Sequence, residues 1–228
     1  MLFYLAPMEG ITGYIVRNAY AHYFPYIDKY FTPFIPAAKK MSKKIKRDLA
    51  AENNGRIRLV PQLIGNRADE FLMMIRQLED LGFTSVNLNF GCPSGTVVSK
   101  RKGAGFLEEP EELEMLLEEV LENSPLAVSV KTRVGIKDPD EWEALCGVYA
   151  KFPLEELIIH PRIQKDFYKN TPNLSAFAEA FVQSRNPVCY NGDIFCVEDY
   201  RRIREKFPEL GAVMTGRGVL ADPALARE

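Results

Sequence analysis

Short β-rich runs recur eight times along the chain, and this recurrence limits the possible folds more than any other feature of the sequence. Longer segments separate most of the runs, and in segments such as 68–82 and 110–124 the apolar residues recur every three or four positions, as in amphipathic helices. This alternation predicts an α/β fold, a parallel (β/α)8 barrel or TIM barrel. The predicted strands lie at 3–8, 29–35, 57–64, 85–90, 126–133, 157–162, 187–192 and 212–217.

The chain, residues 1–228, is predicted to form one domain, because no linker or low-complexity tract divides it. Its 46% of hydrophobic residues suffice for one large core. After the eighth predicted strand only residues 218–228 remain, which is barely the opening of an outer helix. We therefore expect the last outer helix of the barrel to be truncated.

Charge and cysteine content exclude several classes of protein. A formal net charge of −2 gives no general attraction to polyanions, so nucleic acid would have to be bound by local basic patches. The four cysteines form no CxxC pair and only two histidines accompany them, so we predict no metal site. There is no signal-peptide pattern and no apolar window long enough to span a membrane. We expect a cytoplasmic protein with free cysteines and no membrane partner.

Polar side chains cluster at the C-terminal ends of the predicted strands, where barrels of this kind carry their chemistry. Taken singly, each has an ordinary explanation: Gln62 and Asn89 could satisfy loop backbone, His160 could be a structural histidine, and Cys92 could be an ordinary buried cysteine. Coincidence explains poorly why six strands would place such groups at one barrel mouth. The residues concerned are Met8, Gln62, Asn89, Cys92, Lys131, Arg133, His160, Arg162, Asn191, Asp193, Gly216 and Arg217.

Two glycine-containing turns, NGDI after the seventh strand and TGRGVL after the eighth, stand where such barrels commonly bind phosphate. Gly216 and Gly218 would let backbone N–H groups approach an anion, and Arg217 would add a charged contact. Lys131 is placed to stabilise negative charge on a ring across the mouth, while Gln62 offers a donor and an acceptor to an imide edge. Together these features favour flavin mononucleotide (FMN) as cofactor.

Seven motifs resemble, in order and spacing, those of the tRNA-dihydrouridine synthase family over nearly the whole chain. The most specific is VNLNFGCPSGTVVSKRKGAGFL; the others are LAPMEGIT, PQLIGN, VSVKTRVG, IIHPR, CYNGDI and VMTGRGVLADP. The resemblance implies an FMN enzyme that takes hydride from NADPH and reduces the C5–C6 double bond of particular uridines in tRNA. It implies FMN contacts from Pro7, Met8, Gln62, Lys131, His160, Asn191, Gly192, Asp193, Gly216 and Arg217. Substrate contacts are expected from Asn89, Arg133, Arg162 and Lys100.

The resemblance also gives Cys92 a chemical role, that of general acid. Hydride delivered to C6 of uracil leaves an enolate whose C5 must receive a proton, and a thiol with a pKa of about 8.5 is mostly protonated at neutral pH. We expect the glycine-bearing loop 93–105 to carry the thiol over the base when substrate arrives. The base must leave its stack to reach the flavin.

Two basic clusters are expected to contact tRNA. The segment 39–47 has six cations in nine residues, and the sequence KRK occupies 100–102. A solvated helix face is the alternative interpretation of the first cluster.

Three features depart from the family pattern. Glu9 replaces a small residue, and we expect its carboxylate to point away from the flavin or to pair with Arg17 or Lys39. Tyr168 matches a family tyrosine, whereas Asn170 stands where a glycine is expected. The family's C-terminal helical domain, which binds tRNA, is expected to be absent, and tRNA binding would then be weakened.

Two other functions stay open at this stage. The chain could be an FMN-dependent oxidoreductase that acts on a free pyrimidine or another small molecule. It could also be a non-catalytic RNA-binding barrel, although such a scaffold has no need of Cys92 and Lys131 in register.

Overall fold

The computed structural model describes residues 1–55 and 57–227, and in this part of the chain ten β-strands form one sheet. Every strand pairing is parallel. The strands are β1 (Leu2–Leu5), β2 (Lys29–Phe31), β3 (Ile35–Pro36), β4 (Leu59–Val60), β5 (Gln62–Ile64), β6 (Ser85–Phe90), β7 (Ala127–Arg133), β8 (Leu157–His160), β9 (Val188–Tyr190) and β10 (Ala212–Thr215).

The sheet closes into a barrel of eight strands. β2 and β3 together make the second barrel strand, β4 and β5 together make the third, and each of these two strands is interrupted at a proline. β2 pairs with β4 and β3 pairs with β5, so the broken second and third barrel strands lie side by side. Pro33 and Pro61 lie in these breaks, and neither has an N–H to donate to the ladder. Thr32 Oγ1 bridges the gap by accepting the backbone N–H of Gln62 at 2.9 Å. The predicted barrel is confirmed.

Helices cover the outside of the barrel. They are α1 (Tyr14–Tyr23), α2 (Lys43–Leu49), α3 (Ala68–Asp80), α4 (Gly95–Val98), α5 (Pro110–Asn123), α6 (Trp142–Tyr149), α7 (Leu174–Gln183), α8 (Val197–Lys206) and α9 (Arg217–Ala221). In α3 the residues Phe71, Met74, Ile75 and Leu78 are buried at the expected spacing of three and four. After α9 the described chain adds a short 3-10 helix at Leu225–Arg227.

The core has an outer and an inner part. The larger cluster lies between strands and helices and includes Leu5 and Val213, whereas their neighbours Tyr4 and Met214 belong to a smaller cluster. This alternation is expected when one face of each strand points into the barrel. Tyr4 Oη donates to Glu156 Oε1 at 2.8 Å, and Lys29 Nζ lies 3.3 Å from Glu156 Oε2. The inner face therefore carries a buried ion pair.

Among the described residues, no helix combines the length and apolar character needed to cross a membrane. Nor does this part of the chain bring three or more His, Cys, Asp or Glu side chains together as a metal site would require.

Candidate active site

A cavity of about 240 Å³ opens at the C-terminal ends of the barrel strands. All of the sequence-predicted site residues line it except Arg162 and Lys100: Pro7, Met8, Gln62, Asn89, Cys92, Lys131, Arg133, His160, Asn191, Gly192, Asp193, Gly216 and Arg217. Glu9 and Tyr168, both singled out in the sequence, line it too. The sequence did not point to Phe34 and Phe195, which add aromatic surface; Phe34 lies between β2 and β3, and Phe195 lies in the loop after β9.

Buried amides at the base of the cavity form one hydrogen-bonded chain. Asn89 Nδ2 donates to Gln62 Oε1 at 2.7 Å, Gln62 Nε2 donates to Asn87 Oδ1 at 2.7 Å, and Asn87 Nδ2 donates to Ser129 Oγ at 2.9 Å. Backbone groups fix the direction of this chain, because Ser129 Oγ donates to the carbonyl of Val86. Gln62 therefore has a defined orientation and retains one N–H and one oxygen lone pair for a ligand.

The backbone of Cys92 is held on both sides. Asn89 Oδ1 accepts the N–H groups of Gly91 at 3.0 Å and Cys92 at 2.9 Å, and the carbonyl of Cys92 accepts the N–H of Ala104 at 3.0 Å. Gly103 has a positive φ of 55°, and a Cβ there would lie 2.9 Å from the Cβ of Cys92. The KGAG motif thus allows its loop to pack directly against the cysteine. Movement of loop 93–105 stays a prediction.

The Cys92 side chain is in its thiol form at neutral pH. Burial raises the pKa of the thiol above its ordinary value, and the nearby carboxylate of Glu9 acts in the same direction. The positive charges of Lys131 and Arg133 oppose these effects without reversing them. A protonated thiol is a proton donor.

Lys131 is a cation without a partner among the described residues. Its ammonium lines the cavity and forms neither a hydrogen bond nor an ion pair there. Burial, followed by the charge of Arg133, lowers the pKa of Lys131 to about 8. A half-buried, unpaired ammonium that lines the cavity favours an anionic ligand there.

His160 is neutral. Burial lowers its pKa well below the ordinary value, and the positive charges of Arg133 and Lys131 add to this shift. Arg162 Nη1 lies 3.2 Å from His160 Nε2 and can only donate, so the ring proton is on Nδ1.

Arg133 connects two loops of the barrel mouth. Its guanidinium donates to the carbonyl of Gly91 at 2.8 Å and to the carbonyls of Ile163 and Phe167, each at 2.9 Å. The ring of Tyr168 stacks near the same guanidinium, with 5.5 Å between Cζ and the ring centroid. Arg133 lines the cavity, and its hydrogen bonds also hold the start of the loop after β6, at Gly91, against the loop after β8.

Arg162 is buried and does not line the cavity, and its contact with substrate stays a prediction. Its Nε donates to the carbonyl of Asn170 at 2.5 Å, and Nη2 pairs with Asp193 Oδ2 at 2.6 Å. The guanidinium is buried, and its N–H groups donate to these acceptors within the protein. Lys100 is exposed on the loop after α4 and does not line the cavity either.

Asp193 also pairs with Arg217, whose Nη2 lies 2.5 Å from Asp193 Oδ1. The guanidinium of Arg217 stands 4.9 Å from the ring centroid of Tyr168 and 5.3 Å from that of Phe195. Arg217 is therefore held between two aromatic rings at the side of the cavity formed by the loops after β9 and β10.

Glu9 does not pair with Arg17, which was one of the alternatives expected for its carboxylate. Arg17 is fully buried and pairs with Asp48 at 3.1 Å. Glu9 is exposed, lines the cavity and forms no ion pair within residues 1–55 and 57–227, Lys39 included.

Comparison with known proteins agrees with the motifs around this cavity. A family model described as dihydrouridine synthase matches residues 4–228. The chain belongs to the dihydrouridine synthase family. The tRNA-dihydrouridine(16) synthase of Pseudomonas syringae pv. tomato is 31% identical over 237 residues, covering 98% of this chain and 73% of that protein. A probable tRNA-dihydrouridine synthase of Staphylococcus epidermidis is 28% identical and is covered over 69% of its length.

Among solved structures, this dihydrouridine synthase family member is similar in fold to morphinone reductase. The TM-score is 0.68 with 12% sequence identity, over 99% of this chain and 84% of that chain. Histamine dehydrogenase from Rhizobium sp. 4-9 gives a TM-score of 0.74 at 12% identity, over 99% of this chain and 45% of the longer one. At these identities the likeness shows the barrel fold alone.

Proposed function

We propose that this dihydrouridine synthase family member reduces the C5–C6 double bond of a uridine in tRNA, and that Cys92 donates the proton at C5. One observation carries the proposal. The protonated thiol of Cys92 and the unpaired ammonium of Lys131 line the same cavity at the barrel mouth. The thiol is suited to proton transfer, and the ammonium is suited to binding an anionic cofactor.

FMN, the proposed cofactor, fits the donors of the cavity. Lys131 would face negative charge on the ring, and Gln62 would present its free N–H and lone pair to the imide edge. Two glycines after β10 allow close approach of the backbone: a Cβ on Gly216 would lie 3.1 Å from Met8 Sδ, and one on Gly218 would collide with the Ile194 carbonyl. Backbone N–H groups and Arg217 would therefore hold the phosphate. When bound and reduced by NADPH, FMN would supply the hydride for C6 of uracil.

The protein's own part in the reaction is placement and proton transfer. Asn89 fixes the backbone of Cys92, and burial keeps the thiol protonated at neutral pH. After hydride reaches C6, the S–H bond of Cys92 breaks, its proton bonds to C5, and the thiolate is left for reprotonation from solvent. The charges of Lys131 and Arg133 lower the energy of that thiolate.

A tRNA partner is supported by the surface around the mouth. A uridine must leave its stack to enter a cavity of this kind, and aromatic side chains commonly receive such a base. Tyr168, Phe34 and Phe195 line the cavity, and Tyr168 is 53% exposed. The basic segment 39–47 follows β3 at the same end of the barrel.

Product analysis tests the reaction and its substrate class. The purified protein is incubated with FMN, NADPH and unmodified tRNA. The tRNA is then digested to nucleosides, whose masses are measured by mass spectrometry. We expect a nucleoside heavier than uridine by two hydrogen atoms, formed from tRNA and not from free uridine. Turnover of free uridine or uracil with no change in tRNA would instead establish a small-molecule oxidoreductase. Flavin binding without reduction of either substrate would contradict the proposal.

A further inference from the structure

A second cavity, of about 620 Å³, lies next to the active site and has no part in the chemistry described above. It is formed between the start of α1 and the segment from β3 to α2, and it shares Glu9 and Phe34 with the active-site cavity. We call it the α1–α2 groove. Its volume falls within the range of roughly 300–1,000 Å³ that is usual for ligand pockets.

The walls of the groove are apolar and exposed. Ile11, Ile15 and Val16 line it and expose 42%, 68% and 37% of their surface. Tyr14 and Phe34 add aromatic rings, and Arg47 lies 6.0 Å from the centroid of Tyr14. Apolar and aromatic surfaces of this kind accept the flat face of a nucleobase, which stacks on them with little regard to its identity.

The rim of the groove is basic, and its cations are not neutralised by the protein. Lys44 and Arg47 line the groove. All six cations of segment 39–47 are exposed, and none forms an ion pair within the described ranges 1–55 and 57–227. Some other surface cations do pair with a carboxylate, among them Arg67, Arg101, Lys137 and Lys151.

Acidic groups do not cancel this charge inside the groove. Asp48 lines it, but Arg17 pairs with the carboxylate at 3.1 Å and the backbone N–H of Tyr14 donates to it at 2.7 Å. Glu9, the other carboxylate of the lining, stands where the groove meets the active-site cavity, and its single negative charge is outnumbered by the two lining cations Lys44 and Arg47. The groove therefore combines an apolar floor with a positive edge, the combination that suits single-stranded RNA.

We propose that the α1–α2 groove receives the base of a nucleotide adjacent to the reduced uridine, while Lys44 and Arg47 contact the phosphate of that nucleotide. This inference rests on the proposed function. Extruding the uridine from its stack leaves a neighbouring base unstacked, and the shared residues Glu9 and Phe34 make the groove the next surface along the mouth. The groove would thereby help to position the RNA strand.

A charge placed on the groove wall tests the proposal. Ile15→Asp puts a carboxylate on an exposed wall position, and Val182→Asp makes the same kind of change at an 83% exposed site on α7. We expect Ile15→Asp to weaken tRNA binding by about tenfold, and Val182→Asp to leave it unchanged. Both variants should keep the parent's melting temperature, flavin absorbance and rate of flavin reduction by NADPH.

An abasic substitution shows whether a base is what the groove holds. Unmodified tRNA is prepared with an abasic residue on the 5′ or the 3′ side of the reduced uridine. One of the two should bind the parent about tenfold more weakly than intact tRNA, with no such loss for the Ile15→Asp variant. Equal losses in both proteins would overturn the proposal.

Two further outcomes would also overturn it. One is unchanged tRNA affinity in Ile15→Asp; the other is a protein dimer, seen by light scattering, that Ile15→Asp disrupts without affecting RNA binding. Because affinity is measured without turnover, failure of the groove can be told apart from failure of the proposed reaction. The latter would appear as absent dihydrouridine with normal tRNA binding.

Discussion

The side-chain oxygen of Asn89 accepts the backbone N–H of Cys92 at 2.9 Å. The amide nitrogen of the same side chain donates to Gln62 at 2.7 Å, so one residue connects the proposed proton donor to a proposed flavin contact. Asn89 was expected from the sequence to touch the target base. Its hydrogen bonds also make it a positioning residue for Cys92.

Removing the Asn89 side chain should therefore affect both neighbours. Asn89→Ala leaves the N–H groups of Gly91 and Cys92 and the oxygen of Gln62 without their partner, at a cost of about 1–3 kcal/mol for each buried group left unpaired. We expect weaker flavin binding and slower reoxidation of reduced flavin by tRNA.

Asn89→Asp separates the two effects, because it keeps the acceptor for Cys92 and loses the donor to Gln62. In this variant flavin affinity should fall, while labelling of Cys92 keeps the parent's rate once it is corrected for the higher thiol pKa that the added carboxylate causes. Equal labelling rates in the parent and in Asn89→Ala would contradict the positioning role. Flavin fluorescence titration and thiol labelling measure the two properties.

Lys131 should make the unliganded protein less stable below pH 8. Its folded pKa of about 8 lies below the ordinary value of 10.5. Between these values the unfolded chain binds more protons, so stability rises with pH across this window. Lys131→Met should raise the melting temperature of the flavin-free protein at pH 7, and the advantage should shrink as pH approaches 10.5.

The flavin-bound protein should show the reverse order, because FMN would neutralise the ammonium in the parent and Lys131→Met would lose that contact. Melting curves of both proteins with and without FMN check this prediction. A Lys131→Met protein that is less stable than the parent even without flavin would show that the ammonium already has a partner.

Gly103 tests the packing against Cys92. Gly103→Ala forces a residue with a side chain into a positive φ and sets a Cβ 2.9 Å from that of Cys92. We expect a loss of about 1–3 kcal/mol in the free energy of unfolding, together with reduced activity. Gly95→Ala is the matched control, since no atom lies within 4 Å of its added Cβ and its φ is negative. Equal behaviour of the two variants would show that the loop does not hold the thiol.

The buried pair of Lys29 and Glu156 should matter for stability and not for chemistry. Lys29→Met leaves a buried carboxylate with Tyr4 as its remaining partner, and removing one member of a buried pair costs about 3–5 kcal/mol. The double variant Lys29→Met with Glu156→Leu should recover most of this loss. Urea unfolding measures the stability of the single and the double variant. The flavin affinity of both variants should stay at the parent's value. A neutral single substitution would show that the pair is not coupled.

The sequence predicted the barrel and most of the cavity for a simple geometric reason. Parallel strands that alternate with helices bring their C-terminal ends to one rim, so Gln62, Lys131 and His160 meet although they are far apart in the chain. The pattern of apolar residues did not show that the second and third strands are interrupted, because apolar residues lie on both sides of Pro33 and Pro61.

The hydrogen-bond partners of the arginines could not be predicted from the sequence. Arg162 and Arg133 bond to carbonyls of the irregular loop after β8, at Asn170, Ile163 and Phe167, whose positions follow no repeating pattern. Arg17 likewise finds Asp48, which lies 31 residues away, instead of Glu9. Long, flexible cations reach whichever acceptors the tertiary fold brings near them, and spacing along the chain does not encode that choice.

The most direct test of the account is the rate at which unmodified tRNA reoxidises the NADPH-reduced flavin without oxygen. The parent is compared with Cys92→Ala and with Cys196→Ala, in which a cysteine outside the cavity is removed. We predict equal reduction by NADPH in all three and equal reoxidation in the parent and Cys196→Ala. Reoxidation in Cys92→Ala should be slower by about 10²-fold or more, as expected when a general acid is lost. Dihydrouridine formation at the parent's rate in Cys92→Ala would contradict the assignment of the proton donor.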